Sequence, residues 1–180
     1  MMISMKDSNE KTRIVVLTTG GTIEKIYNET DGTLANQETI IKNRLLERLR
    51  LPYTELEVRS IMAKDSLYMD DGDRDIILSS LKRFEVYKNP IVVLHGTDTM
   101  AVTANFCFNN YPQISVPVIF TGAMKPLEIT DSDAQQNVVE ALYAAKLVSS
   151  GYYISFHNRL FQVPYVTKNK NKGTFESVSK

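Results

Sequence analysis

Three short runs of apolar, mostly β-branched residues constrain the fold of this chain more than any other feature. They occupy residues 14–17, 91–94 and 116–120, and each ends at a loop that contains threonine and glycine. A continuous apolar run of this length is typical of a strand buried on both faces, as in a parallel sheet. The glycine permits the tight turn that leaves such a strand.

Helical patterns separate these runs. The spacing of apolar residues predicts helices over 39–50, 73–86, 97–110 and 133–149. The last is the clearest, because Val138, Leu142 and Val148 recur at helical spacing, and Ser132 with Gln135 has the pattern of a capping box. Strands alternating with helices imply βαβ units with right-handed crossovers. We therefore predict an α/β fold of three layers: a mostly parallel, flavodoxin- or Rossmann-like sheet with helices on both faces.

Further strands complete this prediction. Residues 56–62 alternate like an edge or half-exposed strand. Residues 152–156 and 161–166 resemble two late strands, and a turn at 158–159 would join them as a hairpin.

The length of 180 residues suits a single domain. We expect a flexible N-terminal tail over 1–12, an α/β domain over 13–167 and a C-terminal segment over 168–180.

Charge and cysteine content exclude several function classes. The chain has 21 basic and 21 acidic residues, so its formal net charge of zero argues against nucleic-acid and anionic-membrane partners. The single cysteine, Cys107, cannot form an intrachain disulfide. The polar N-terminus does not resemble a signal peptide, and no apolar run is long enough to cross a membrane. We therefore expect a cytoplasmic location.

Two of the loops that follow strands carry hydroxyl groups and glycine. They are 19–22, Thr-Gly-Gly-Thr, and 95–99, His-Gly-Thr-Asp-Thr. Ligands of open parallel sheets bind outside the carboxyl ends of the strands, so both loops could face one small ligand. Neither is a phosphate-binding motif. Taken singly, a tight turn explains Gly20 and Gly21, and helix N-capping explains Thr97 and Asp98.

Together with two later segments, these loops resemble the signature motifs of bacterial-type L-asparaginases. The later segments are 122–126, Gly-Ala-Met-Lys-Pro, and 166–168, Val-Thr-Lys. All four occur in family order and at about family spacing. The resemblance covers residues 13–177 and implies the fold of the asparaginase N-terminal domain.

The resemblance also implies roles for individual residues. Thr22 matches the primary nucleophile of the family and Thr97 its second catalytic threonine. Asp98 matches the acid that binds the substrate amino group and orients the catalytic lysine, Lys168. Tyr27 matches the tyrosine of a mobile N-terminal loop. The matched substrate-binding positions are Ser66, Gly21, Gly96 and Ala123.

These residues suit an amide hydrolase that needs no metal and no organic cofactor. A threonine hydroxyl requires a nearby base, which neutral Lys168 could supply, although Asp98 would favour the charged lysine. The implied reaction hydrolyses L-asparagine to L-aspartate and ammonia. A non-catalytic or weakly active module that binds a small amino acid remains an alternative, and so does an amidase or glutaminase with another substrate.

The chain also departs from the family pattern. Family members ordinarily have two domains, so we expect this chain to be a short, single-domain form without the C-terminal domain. Leu67 and Tyr68 stand where the family often has a polar residue followed by an acid. Because the family builds sites across subunits, we expect a homodimer or homotetramer.

The remaining chemistry-bearing residues have simpler interpretations. His95 is expected to be structural, His157 to lie on the surface or in the core, and Cys107 to be a small core residue. The two histidines lack the spacing of metal ligands. The acidic cluster, Asp70, Asp71, Asp73 and Asp75, fits the start of a helix.

Overall fold

A computed structural model describes residues 11–28, 33–36 and 45–178 of the chain. Ten strands and three α-helices occur within these ranges. The strands are β1 Thr12–Thr18, β2 Lys25–Asn28, β3 Thr33–Asn36, β4 Thr54–Ser60, β5 Ile91–Leu94, β6 Pro117–Thr121, β7 Gly151–Phe156, β8 Arg159–Gln162, β9 Val166–Asn169 and β10 Thr174–Ser177. The helices are α1 Asp71–Glu85, α2 Met100–Asn110 and α3 Ala134–Ala144.

Six strands form the central sheet, in the order β4-β1-β5-β6-β7-β8. All neighbouring pairs are parallel except β7 and β8, which pair antiparallel at one edge. The strands β2–β3 and β9–β10 form two separate antiparallel pairs. The mostly parallel α/β sheet predicted from the apolar runs is confirmed.

The core is divided between the two faces of the sheet. Val15 and Leu17 of β1 pack on one side with residues of α1 and α2, whereas Ile14 and Val16 pack on the other side with residues of α3. Successive side chains of a strand point to opposite faces, so a strand covered on both sides must be apolar throughout. This arrangement confirms the three layers with helices on both faces.

The helix boundaries differ from the sequence prediction. The helix predicted over 97–110 begins only at Met100, because Thr97 and Asp98 belong to the loop that follows β5. The helix predicted over 133–149 ends at Ala144. Of the helix predicted over 39–50, residues 39–44 lie outside the described residues, and Leu46–Arg48 form a short 3-10 helix.

Capping interactions follow a different pattern from the predicted one. The capping box predicted for Ser132 and Gln135 is wrong, because Asp133 takes the N-cap position of α3 and its carboxylate bonds elsewhere. A capping box is present at the start of α1, between Asp70 and Asp73. The acidic cluster therefore lies at a helix N-terminus, as expected.

The late hairpin turns one residue earlier than predicted. Its turn residues are His157 and Asn158, both in the left-handed region, with φ of 47° and 60°. Such turns match the twist of an antiparallel pair. The run predicted as one strand over 161–166 is divided between β8 and the first residue of β9.

The predicted boundary between residues 167 and 168 falls inside β9, so Lys168 lies within a β-hairpin. The division into domains stays a prediction. Within the described residues, no helix is long and apolar enough to cross a membrane.

Candidate active site

Four loops meet at the carboxyl ends of β1, β4, β5 and β6. A β-carbon at Gly21 would lie 2.5 Å from the Gly96 Cα, and one at Gly20 would lie 2.5 Å from the backbone nitrogen of Lys64. A β-carbon at Gly122 would lie 2.2 Å from the carbonyl oxygen of His95. Since real β-carbons do not approach this closely, glycine at these positions is what allows the loops to touch.

Lys168 contacts two polar residues of the loop after β5. Its Nζ donates to Thr97 Oγ1 at 2.8 Å and to Asp98 Oδ1 at 2.7 Å. The lysine side chain is 15% exposed and that of Asp98 is 31% exposed. The chain thus brings together three of the predicted catalytic residues, separated by about seventy positions in sequence. Thr97 and Asp98 do not cap α2, whose N-cap is Thr99.

Thr22 opens a short 3-10 helix that directly follows the two glycines. Because the backbones of Gly21 and Gly96 are packed together, Thr22 and Thr97 extend from adjoining segments. The carboxylate of Glu24, a buried residue, accepts the backbone N–H of Gly20 at 2.7 Å. This bond fixes the turn that places Thr22.

Ser66 lies beside Gly96. Its hydroxyl is buried and has no hydrogen-bond partner in the part of the chain that the structure describes. A β-carbon on Gly96 would lie 2.4 Å from this oxygen, so the hydroxyl rests directly over the glycine. A buried hydroxyl without a protein partner is costly and indicates that a ligand or water completes its bonding.

Ala123 and Tyr27 are placed differently. Ala123 is 1% exposed and lies in the loop after β6, next to Gly122 and its contact with His95. Tyr27 lies on β2 with a side chain that is 56% exposed. No hydrogen bond among the described residues links the Tyr27 hydroxyl to Thr97 or Lys168, so its catalytic assignment stays a prediction.

An ion pair links the segment after Thr22 to the segment before Ser66. Lys25 Nζ lies 2.6 Å from Asp65 Oδ2, and both side chains are about four-fifths buried, at 23% and 22% exposure. Asp65 also accepts the N–H of Leu67. Burial alone would raise the pKa of Asp65, but Lys25 and that N–H bring the pKa below its ordinary value.

The lowered pKa makes this pair a source of pH-dependent stability. The ionised Asp65 stabilises the fold above the ordinary aspartate pKa, and that contribution is lost as pH falls through the lower folded-state pKa. We expect Asp65→Asn to lower the urea midpoint at neutral pH and to flatten its decline below about pH 5. The control is Asp75→Asn, exposed on α1. Parallel curves for wild type and Asp65→Asn would contradict this expectation.

The histidines and the cysteine lie in the core or are partly buried. Burial lowers the pKa of His95 to about 4, so the ring is neutral near pH 7, and its Nδ1 lies 2.8 Å from the Gly96 carbonyl oxygen. Burial raises the pKa of Cys107 to about 12, as suits a core thiol. His157 is partly buried and bonded to Asp133. Within the described residues, no group of three or more His, Cys, Asp or Glu could hold a metal ion.

Some residues of the site could not be singled out from the sequence. Glu24, Lys25 and Asp65 fix the loops around Thr22 and Ser66 through bonds that only the fold reveals. The one available signal was the carboxylate of Glu24, three residues after the glycine pair. An acid among buried residues needs a partner.

Comparison with known proteins supports the resemblance seen in the sequence. The family model for the N-terminal part of asparaginase, "Asparaginase, N-terminal", matches residues 13–180. The chain is 31% identical to L-asparaginase from Thermococcus kodakarensis, over 93% of this chain and 51% of the relative. It is 34% identical to L-asparaginase 1 from Escherichia coli K12, over 88% of this chain and 48% of the relative.

A solved structure shows the same fold. The thermostable L-asparaginase from Thermococcus kodakarensis superposes with a TM-score of 0.82 at 28% identity, covering 92% of this chain and 51% of that chain.

A more distant relative, the 60 kDa lysophospholipase of Homo sapiens, is 30% identical over 74% of this chain and 23% of the relative. The chain thus spans about half the length of the L-asparaginases it matches. The predicted homo-oligomer and cytoplasmic location stay predictions.

Proposed function

The chain belongs to the asparaginase family, and on that premise we propose that it is an amidohydrolase acting on L-asparagine or a close relative. The products are L-aspartate and ammonia. The observation that carries this proposal is the position of Lys168, whose Nζ is within hydrogen-bond distance of both Thr97 and Asp98. A hydroxyl, an amine and a carboxylate in one chain of hydrogen bonds form the arrangement that activates a weak nucleophile.

The chemistry follows in two halves. A threonine oxygen attacks the amide carbon, its proton passes to the neighbouring base, and the carbonyl oxygen becomes an oxyanion. When the C–N bond breaks, the base returns the proton to the nitrogen, and ammonia leaves. Water then attacks the threonine ester by the same route, giving the acid and restoring the hydroxyl.

Two threonines are candidates for the attacking group. The family resemblance assigns the primary role to Thr22, and the hydrogen bond from Lys168 favours activation of Thr97. Both roles fit one site, because Gly21 and Gly96 place the two residues on adjoining segments. The hydroxyl of Ser66, buried and without a partner among the described residues, supports a role in holding a polar group of the substrate.

A second candidate function is the hydrolysis of a different amide. Leu67 and Tyr68 follow Ser66 directly, and their side chains are 61% and 76% exposed. Apolar groups beside the site would accept a substrate with an apolar substituent more readily than a free amino acid. The proposal therefore needs a test against several amides.

The deciding experiment measures ammonia release by the purified chain. L-asparagine is compared with L-glutamine, D-asparagine and an N-acyl asparagine at equal concentrations. We expect turnover of L-asparagine above all others. A preparation of the Thr22→Ala, Thr97→Val double variant, purified in parallel, measures any contaminating host asparaginase.

Calorimetry with L-aspartate separates the non-catalytic alternative. Binding of L-aspartate without ammonia release from any amide would favour a binding module and overturn the proposed hydrolysis. Preferred release from the N-acyl substrate would instead support the second candidate. Ammonia release equal to that of the double variant, with no binding of L-aspartate, would overturn the proposed hydrolysis and the binding module.

A further inference from the structure

The hairpin that carries Lys168 is not part of the central sheet. Its strands β9 and β10 pair only with each other among the described strands. The distance from Lys168 to Thr97 therefore depends on side-chain contacts between the hairpin and the body of the domain. On β9, Val166 packs in the core and Lys168 bonds Thr97 and Asp98. On β10, Phe175 lies opposite Lys168 in the ladder and also packs in the core.

Two residues of β10 contact the end of β7 and the turn that follows it. Thr174 Oγ1 lies 3.0 Å from Nδ1 of His157. The ring of Phe175, which is 3% exposed, packs edge-on against Phe156 at 5.0 Å between centroids. His157 is thus one polar partner of the hairpin, next to its apolar anchor, and Arg159, which donates to Ser177 Oγ at 3.2 Å, is another.

His157 is itself held at several points. Its ring packs on Phe156 with 4.4 Å between centroids, and its backbone N–H donates to Asn137 Oδ1 at 3.0 Å. Its Nε2 lies 2.9 Å from Oδ2 of Asp133. A ring fixed by its backbone, one face and one nitrogen can present the other nitrogen in a single direction.

Asp133 connects this histidine to the loop after β6. Its carboxylate accepts the N–H groups of Met124 and Lys125, at 3.0 and 3.1 Å, and the side-chain amide of Asn137 at 2.9 Å. Burial alone would raise the pKa of Asp133, but the N–H of Met124 and the His157 ring hold the pKa below its ordinary value. The same Asn137 amide donates to the carbonyl oxygen of Gly122.

The bonding fixes the histidine tautomer. An ionised carboxylate only accepts, so Nε2 of His157 carries a proton toward Asp133. The other nitrogen, Nδ1, then accepts from the Thr174 hydroxyl when the ring is neutral and donates to it when the ring is charged. The hydroxyl is a partner in either state, so its removal breaks the link at any pH.

We propose that His157, held by Asp133, is a positioning residue that fixes the β9–β10 hairpin through Thr174 and thereby places Lys168 against Thr97. The same carboxylate holds the loop that carries Ala123, so one histidine–aspartate pair joins two parts of the site. The effect of this contact on catalysis rests on the proposed function, whereas the positioning of Lys168 can be measured without any activity.

The first test is the reactivity of Lys168 toward acetic anhydride, followed residue by residue with mass spectrometry. In the wild type, the 15% exposed side chain bonded to Thr97 should react slowly. Loss of the hydrogen bond between Thr174 and His157 should raise its acetylation rate by about 3- to 10-fold in Thr174→Val and by at least as much in His157→Phe, which also loses the bond to Asp133. The variant Thr174→Ser keeps the hydroxyl and should react like the wild type. Lys82 on α1 is the internal reference.

Two outcomes would overturn the positioning role. One is an unchanged Lys168 rate in Thr174→Val and His157→Phe. The other is an equal increase at Lys82, which would mean that the whole domain loosens.

The second test measures kcat and KM for ammonia release separately. Thr174→Val should lower kcat with little change in KM, and Thr174→Ser should restore it, because the hairpin places the base rather than the groups that hold the substrate. If the wild type releases no ammonia while the labelling result stands, the proposed function fails and the positioning of Lys168 does not. If kcat stays at the wild-type value in Thr174→Val, the catalytic meaning of this contact is overturned.

Discussion

Replacing Lys168 with methionine is expected to lower kcat by about 10²- to 10⁴-fold, the usual contribution of a positioned acid–base group. Methionine replaces the four-carbon stem of lysine with a chain of the same number of heavy atoms and removes the nitrogen that bonds Thr97 and Asp98 at 2.8 and 2.7 Å. The hydroxyl of Thr97 would then lose the partner that receives its proton in the proposed reaction. Steady-state ammonia release at saturating substrate measures the effect.

A matched control for this change is Lys170→Met, on the same hairpin but exposed. It should retain wild-type activity, and both variants should keep a similar urea midpoint, since Asp98 stays partly exposed when its partner is lost. Activity of Lys168→Met within a few-fold of the wild type would rule out Lys168 as the base. Combining it with Thr97→Val should cost little more than either change alone, because groups that act as a unit are not additive.

The central sheet could be predicted because its signal is local. Residues 14–17 and 91–94 are buried on both faces, and a strand covered on both sides must be apolar at every position. The same logic placed the polar loops at one edge of the sheet, where Thr97 and its neighbours are found. Strand identity and the position of the polar loops therefore followed from short stretches of sequence, whereas the roles expected of Thr22, Thr97 and Lys168 came from the resemblance to the family.

The hairpin of β9 and β10 was not predictable in the same way. Its segment is polar apart from Val166 and Phe175, and it is held by contacts with residues far away in sequence. The late turn shows the same limit, because His157 and Asn158 adopt positive φ without a glycine to signal it. Bonds such as that between His157 and Asp133, 24 positions apart, exist only once the fold is formed.

Gly21 is the position where a single methyl group should do the most damage to the fold and the site together. Its φ of 90° and ψ of −176° lie in a region that is almost exclusive to glycine. The added β-carbon would also lie 2.5 Å from the Gly96 Cα. We expect Gly21→Ala to lower the free energy of unfolding by about 2–4 kcal/mol, from strain plus overpacking. Urea unfolding measures this loss.

Because Gly21 packs against Gly96, we expect Gly21→Ala to change the position of the proposed catalytic threonines as well as the stability. To accommodate a methyl group, the segments of Gly21 and Gly96 must separate, and the residues that follow them are Thr22 and Thr97. The rate of ammonia release should therefore fall by more than the loss of folded protein explains. Gly173→Ala is the stability control: its φ is 58°, but nothing lies within 4 Å of the added carbon, so it carries strain without a clash. If the two alanine variants lose equal stability, backbone strain alone accounts for Gly21, and the close approach to Gly96 contributes nothing.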